Sequence, residues 1–98
     1  MKIYIADDYW ETSNLIVEGL CCIDSSFEFR TARNGKELLN IIDSDGPPDL
    51  LTLDLLMPIM DGFGVLREFQ NNKAKYDFPI LVVTALAEQY KIRQAYEL

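Results

Sequence analysis

Leu50-Leu51-Thr52-Leu53-Asp54 is a nearly unbroken apolar run that ends on a carboxylate. Such a strand suits a parallel sheet whose two faces are both covered by helices. Ile80-Leu81-Val82-Val83-Thr84 repeats the pattern and ends on a hydroxyl. Outward from these runs, short β-rich segments alternate with segments of helical period, the signature of repeated β-α units. The expected strands are Lys2 to Ala6, Phe27 to Ala32, Asp49 to Asp54 and Pro79 to Thr84. Leu15, Ile16, Gly19, Leu20 and Ile23 form an apolar stripe for a first helix centred on Thr12 to Cys22. Asn34-Gly35 opens a second helix through Leu38, Leu39, Ile41 and Ile42, and the run Asp43-Ser44-Asp45-Gly46-Pro47-Pro48 stops it. A third follows Asp61-Gly62 with Phe63, Leu66 and Phe69 inward, and a fourth runs from about Ala87 to the end. The expectation is one open, doubly wound α/β domain over residues 1–98, with strands in the order 2-1-3-4.

Composition narrows the chemistry. The 98 residues are 49% hydrophobic, enough for one small core. Nine Lys and Arg against sixteen Asp and Glu give a net charge of −7, and no basic stripe could track a phosphate backbone, so direct nucleic-acid binding is not expected. Met1-Lys2 leads straight into a strand, unlike a signal peptide, and the apolar runs are too short to span a bilayer. A cytoplasmic protein without membrane contact is the expectation. Cys21 and Cys22 are adjacent within a helical pattern, which suits reduced core thiols rather than a disulfide or metal site. Histidine is absent, which removes Ser-His and Cys-His nucleophiles and His-based zinc sites. Carboxylates, hydroxyls and lysines are left to carry any reaction.

In open α/β sheets ligands bind outside the carboxyl ends of the strands, where strand order reverses. Those ends carry Asp7 and Asp8, Asp54, and Thr84. In the order 2-1-3-4 the carboxylates of Asp7, Asp8 and Asp54 converge. Their mutual repulsion calls for a cation, and an all-oxygen set suits Mg²⁺ or Mn²⁺. A metal there would offset the charge that stops a carboxylate attacking a phosphoryl group, making Asp54 a credible covalent nucleophile, with Thr84 in reach of a phosphoryl oxygen. Each residue alone has an ordinary reading: a strand-end Asp is usually a turn former or helix cap, and a strand Thr is usually just β-branched. The joint arrangement favours function over coincidence.

Asp7-Asp8, then Asp54-Leu55-Leu56-Met57-Pro58-Ile59-Met60-Asp61-Gly62, then Thr84-Ala85 closely resemble the receiver domains of two-component response regulators, and Asn34-Gly35-Lys36-Glu37-Leu38-Leu39 resembles that family's second helix. The resemblance covers the whole chain. It implies a flavodoxin-like receiver fold in which Asp54 accepts a phosphoryl group from a sensor histidine kinase. It further implies that Asp8 and the backbone carbonyl of Leu56 bind Mg²⁺ directly, that Asp7 acts through the metal's water shell, and that Thr84 is the switch hydroxyl. Met57-Pro58 and Gly62 would shape the loop that positions Asp54. The implied role is a phosphoacceptor signalling domain rather than an enzyme, able to take phosphate from small acyl phosphates. The family also has a fifth strand and helix with a lysine after that strand; Leu98 falls short of them, and none of Lys2, Lys36, Lys73, Lys75 or Lys91 stands in that lysine's place.

Other readings differ at named residues. A pseudo-receiver, or an inactive fragment serving as an interaction module, is favoured by the missing lysine and disfavoured by the intact Asp7, Asp8, Asp54 and Thr84. A phosphatase working through an aspartyl phosphate would need a second Asp where Leu56 stands. A flavin module would meet repulsion between its phosphate and Asp7-Asp8. Leu56, Tyr9 and Trp10 lie where the resembled family varies, and Trp10 should report metal binding through its emission. Without a fifth strand, Ile80 to Val83 would be an exposed apolar edge, which predicts either self-association, by exchange of elements between protomers, or a chain only partly ordered near its carboxyl end.

Overall fold

The computed structural model describes residues 1–83. Thr84, Ala85, Lys91 and the helix expected from Ala87 lie outside the described residues. The elements run β1 (Lys2–Ala6), α1 (Trp10–Ile23), β2 (Glu28–Ala32), α2 (Gly35–Asp45), β3 (Leu50–Leu53), α3 (Gly62–Asn71) and β4 (Ile80–Val82). All pairings are parallel and the order is β2-β1-β3-β4, as the alternating pattern predicts.

Register decides where the strands end. Ala6 stands opposite Ala32 on one side and Leu53 on the other, and Leu53 stands opposite Val82, so the strands finish at a level rim. Three bonds tie the next residues to it: the Asp7 amide donates to Ala32, that of Asp54 to Ala6, and that of Val83 to Leu53, at 2.9 Å each. Asp7 and Asp54 therefore leave neighbouring strands at one height.

Strand alternation splits the apolar residues between two faces. Tyr4, Ala6, Leu51 and Leu53 meet Leu38, Ile41 and Ile42 of α2, and Val65 and Phe69 of α3, in one core. Phe69 also packs at a tilt on Tyr76 and edge-to-face on Phe78, at ring separations of 4.6 and 5.4 Å. Phe69 is buried and Leu66 packs against the core, as expected, while Phe63 is only partly buried and Val65, not expected inward, is wholly buried. At the start of α3, Gly62 packs directly on the backbone of Asp54 and Leu55.

Both helices on this face start and stop on local chemistry. Asn34 caps α2 by accepting the Glu37 amide at 2.8 Å, and Asp61 caps α3 by accepting that of Gly64 at 2.9 Å. α2 runs through Asp45 and ends at Gly46, within the Asp43 to Pro48 run expected to stop it, and the φ of 86° at Gly46 lies in the region that glycine adopts at no steric cost.

The other face carries α1 alone among the described elements. Ser13 is its one buried residue, and Cys21 and Cys22 are exposed, not core thiols as expected. Helical period tells which residues share a side, but no second described element covers that side. No helix among the described residues is long and apolar enough to cross a membrane.

Candidate functional site

The rim brings together three of the four residues that the strand-end rule predicts. One carboxylate oxygen from each of Asp7, Asp8 and Asp54 lies within 4.8 Å of the others, with Asp7 and Asp54 buried and Asp8 exposed. Asp7 and Asp54 are each turned by the same local device. The Asp7 carboxylate accepts the Tyr9 amide at 2.9 Å, and the Asp54 carboxylate accepts the Leu56 amide at 3.3 Å. Such short-range bonds to the backbone two residues ahead are what aspartate makes at turns. Here they aim both carboxyl groups across the end of the sheet.

Asp7 shows the electrostatic consequence. Burial pushes its carboxyl above the ordinary 3.8; the bond from Tyr9 works against that, and the neighbouring Asp8 charge adds to it. A divalent cation among these oxygens would relieve both effects, so the donor set suits a hard, oxygen-preferring ion such as Mg²⁺, Mn²⁺ or Ca²⁺.

A cavity of about 220 Å³ opens over the cluster, lined by Asp7, Asp8, Tyr9, Thr12, Asp54, Leu56 and Val83. Leu56 is part of the lining and is 48% exposed. Thr12 was not singled out from the sequence. Its position is the signal that could have found it: Thr12 is a hydroxyl residue in the first turn of the helix that follows Asp7-Asp8, and it lines the same cavity. Thr84, expected beside Asp54, lies outside the described residues. Trp10 is largely exposed and borders a second, smaller hollow with Asp7, Ser13, Asn14 and Arg33.

The loop after Asp54 is held from both sides. Leu55 is fully buried while Leu56 turns outward, and the Gly62 amide donates back to the Leu55 carbonyl at 3.1 Å. A Cβ on Gly62 would lie 2.4 Å from the Asp54 carbonyl oxygen, so only hydrogen fits. On the far side the Gly35 amide, first in α2, donates to the Met60 carbonyl at 2.8 Å, and a Cβ there would strike Met60 and Val65 at 2.6 Å. Between these anchors the Met60 amide donates to Pro58 at 2.7 Å across Ile59, whose φ is 69°. This is a γ-turn of the positive-φ kind, strained for a β-branched residue.

A parallel sheet ordered 2-1-3-4, with an acidic pocket at the carboxyl ends of β1 and β3, defines an α/β domain of the receiver class. The profile of the response regulator receiver domain matches residues 3–98, and the chain belongs to that family. It is 33% identical over its whole length to response regulator RR06 of Streptococcus pneumoniae, and 37% identical over 89% of its length to the probable transcriptional regulator ycf27 of Porphyra purpurea. The chain spans 42% and 33% of those two relatives, less than half of either. Among solved structures, the phosphorylated cyanobacterial phytochrome response regulator RcpA superposes with a TM-score of 0.89 at 27% identity, covering 98% of this chain and 73% of that one. The Mn²⁺-bound form of response regulator Rcp1 does so with a TM-score of 0.84, at the same identity and coverage.

Proposed function

We propose that this receiver domain is a phosphoacceptor, with Asp54 taking a phosphoryl group from a sensor histidine kinase in the presence of Mg²⁺. The observation that carries the reading is the convergence of the Asp7, Asp8 and Asp54 carboxylates within 4.8 Å at the ends of two adjacent strands. The phosphorylated state of RcpA and the Mn²⁺ of Rcp1, as properties of those proteins, support it.

In this reading Asp8, Asp54 and the Leu56 carbonyl hold the ion, and Asp7 acts through its water shell. When bound, the ion supplies positive charge that offsets repulsion between the carboxylates and an incoming phosphoryl group. An Asp54 oxygen attacks phosphorus in line. The P–O bond forms as the P–N bond to the donor's imidazole breaks, and the departing imidazole takes its proton from solvent. The turn from Asp54 to Leu56 fixes the attacking carboxyl before the donor arrives, which removes orientational freedom from the barrier. Thr84 is the hydroxyl assigned to a phosphoryl oxygen once transfer is complete.

Intact-mass spectrometry after incubation with a small acyl phosphate and Mg²⁺ tests this directly. The expected result is one phosphoryl adduct on the parent and none on Asp54→Asn, which keeps shape but loses the nucleophile. A folded parent that gains no adduct, or an Asp54→Asn variant that still does, would remove Asp54 from the role. Trp10 emission supplies an independent check on the metal: Mg²⁺ should change it in the parent and not in Asp8→Ala.

A further inference from the structure

β2 closes the sheet on the side away from β4, at the opposite edge from where the described residues end. Among the described residues β2 pairs with β1 alone. The Glu28 amide donates to Met1 and the Ala32 carbonyl accepts from Asp7, both at 2.9 Å, so these residues turn their backbone groups inward. Residues two apart bond to the same neighbour in a parallel ladder, which leaves Phe29 and Thr31 with N–H and C=O aimed outward. Side chains sort by the same alternation. Ala32 joins the core that α2 covers, and Arg30 makes an ion pair with Asp45 at the end of α2. Thr31 borders a hollow with Trp10 and Ser13 of α1, and the rings of Phe27 and Phe29 meet edge-to-face at 6.5 Å. The edge therefore reads aromatic, acid, aromatic, base, hydroxyl from Phe27 to Thr31, with Glu28, Arg30 and Thr31 exposed.

We propose that this edge pairs with the same edge of a second copy, antiparallel and two-fold about Phe29, so that one sheet runs through both chains. Register selects the pairing. Outward backbone groups bond across the seam only where odd-numbered residues stand opposite odd-numbered ones. Placed to overlap most of the strand, the axis then passes at Glu28, Phe29 or Arg30. At Glu28 it sets two carboxylates face to face, and at Arg30 two guanidinium groups, and like charges directly opposite are destabilising. At Phe29 it sets Glu28 opposite the partner's Arg30, a complementary contact that symmetry makes twice. On the other face Phe29 meets the partner's Phe29, and Phe27 meets the partner's Thr31.

Arg30 can serve both partners. Its side chain stays 51% exposed although Asp45 holds it, and the planar guanidinium carries donors enough for a second carboxylate. Charges on an edge strand ordinarily discourage strand addition of any kind. Opposite signs two residues apart do something narrower, since they favour one register and penalise its neighbours. The acidic pockets stay open in the pair. Antiparallel strands point opposite ways, so the two pockets lie at opposite ends of the joined sheet. Size and charge limit the strength: a strand of 5 residues makes a short seam, and two chains of −7 repel. Association should be weak and concentration-dependent at physiological salt, where that repulsion is screened.

Sedimentation equilibrium on the full chain across the micromolar to millimolar range tests the inference, with Glu28→Arg, Arg30→Glu and the double exchange alongside. Both sites are exposed, so their replacement leaves the core intact, and far-ultraviolet circular dichroism verifies the fold. The expected result is a monomer–dimer equilibrium that each single exchange weakens by roughly tenfold and the double exchange regains. The sharpest reading comes from mixing. Glu28→Arg and Arg30→Glu chains complement each other across the seam, so an equimolar mixture should pair although each alone does so poorly. Thr31→Pro addresses the backbone: it deletes an outward N–H but no bond to β1, and should abolish pairing while the fold stands. A monomer at every concentration would overturn the inference. So would a dimer indifferent to the charge exchanges, or single exchanges that weaken pairing with no recovery in the double exchange or the mixture.

Discussion

On one face of the sheet Leu38, Leu51, Leu53 and Val65 are fully buried beneath two helices; on the other Leu15 and Ile23 of a single helix stay 69% and 75% exposed. The residues are chemically alike, so the difference lies in what meets them. α2 and α3 are each locked by a side-chain cap and by glycines too tightly packed to accept a methyl group, and they close over the sheet as a pair. α1 has no side-chain cap at Tyr9, carries a bare Gly19, and meets no second described helix. The acidic pocket sits where the two faces meet, with Asp54 leading into the packed side and Asp7 leading into α1.

This contrast makes quantitative demands. Leu38→Ala should cost about 2–5 kcal/mol, because it opens a cavity in the closed face, while Leu15→Ala should change the monomer by about 0.5 kcal/mol or less. Urea denaturation at low concentration separates them; equal losses would break the distinction between the faces. Gly62→Ala should cost about 1–3 kcal/mol, since its new methyl meets the Asp54 carbonyl at 2.4 Å, and it should also distort the carboxyl cluster and weaken the metal response of Trp10. Ile59→Gly acts in the opposite sense. Releasing a positive φ at a β-branched residue should gain about 1 kcal/mol, read as a higher urea midpoint with unchanged slope.

The smallest effect is in pH. Burial holds the Asp7 carboxyl above 3.8 in the folded metal-free protein, so between the unfolded and folded values the native state binds more protons. Its contribution is complete below about 3.8 and is lost as pH rises through the folded value. Asp7→Asn should remove that decline, giving a flatter profile and a more stable protein at neutral pH without metal. A profile unchanged by the substitution would mean that Asp7 is not penalised by its surroundings.

Much of this was legible beforehand, for reasons that differ by element. The strands and first three helices followed from periodicity, because an apolar run ended by a turn signal leaves little choice of conformation. Asp7, Asp8 and Asp54 followed from position, since side chains just past the ends of adjacent parallel strands must share a rim. What periodicity cannot tell is which element covers a stripe, and that is why Cys21 and Cys22, expected inside, are exposed. Nor does it give rotation to better than a fraction of a turn. Val65 is wholly buried, whereas Phe63, one of the three residues expected inward, is only partly so. Thr12 was missed for a milder reason, its hydroxyl being commonplace at a helix start until the cavity it shares with Asp7, Asp8 and Asp54 is seen.

The bond from the Gly35 amide to the Met60 carbonyl joins the first residue of α2 to the loop that follows Asp54. Neither end of that bond can loosen alone. Fraying at the start of α2 frees Met60, and rearranging the loop strips α2 of its first donor contact. In hydrogen-exchange terms, the amides of the first turn of α2 and those of the Leu55–Gly62 segment should open together, as one cooperative unit with one protection factor. Whatever binds among the carboxylates would then slow exchange in a helix it never touches.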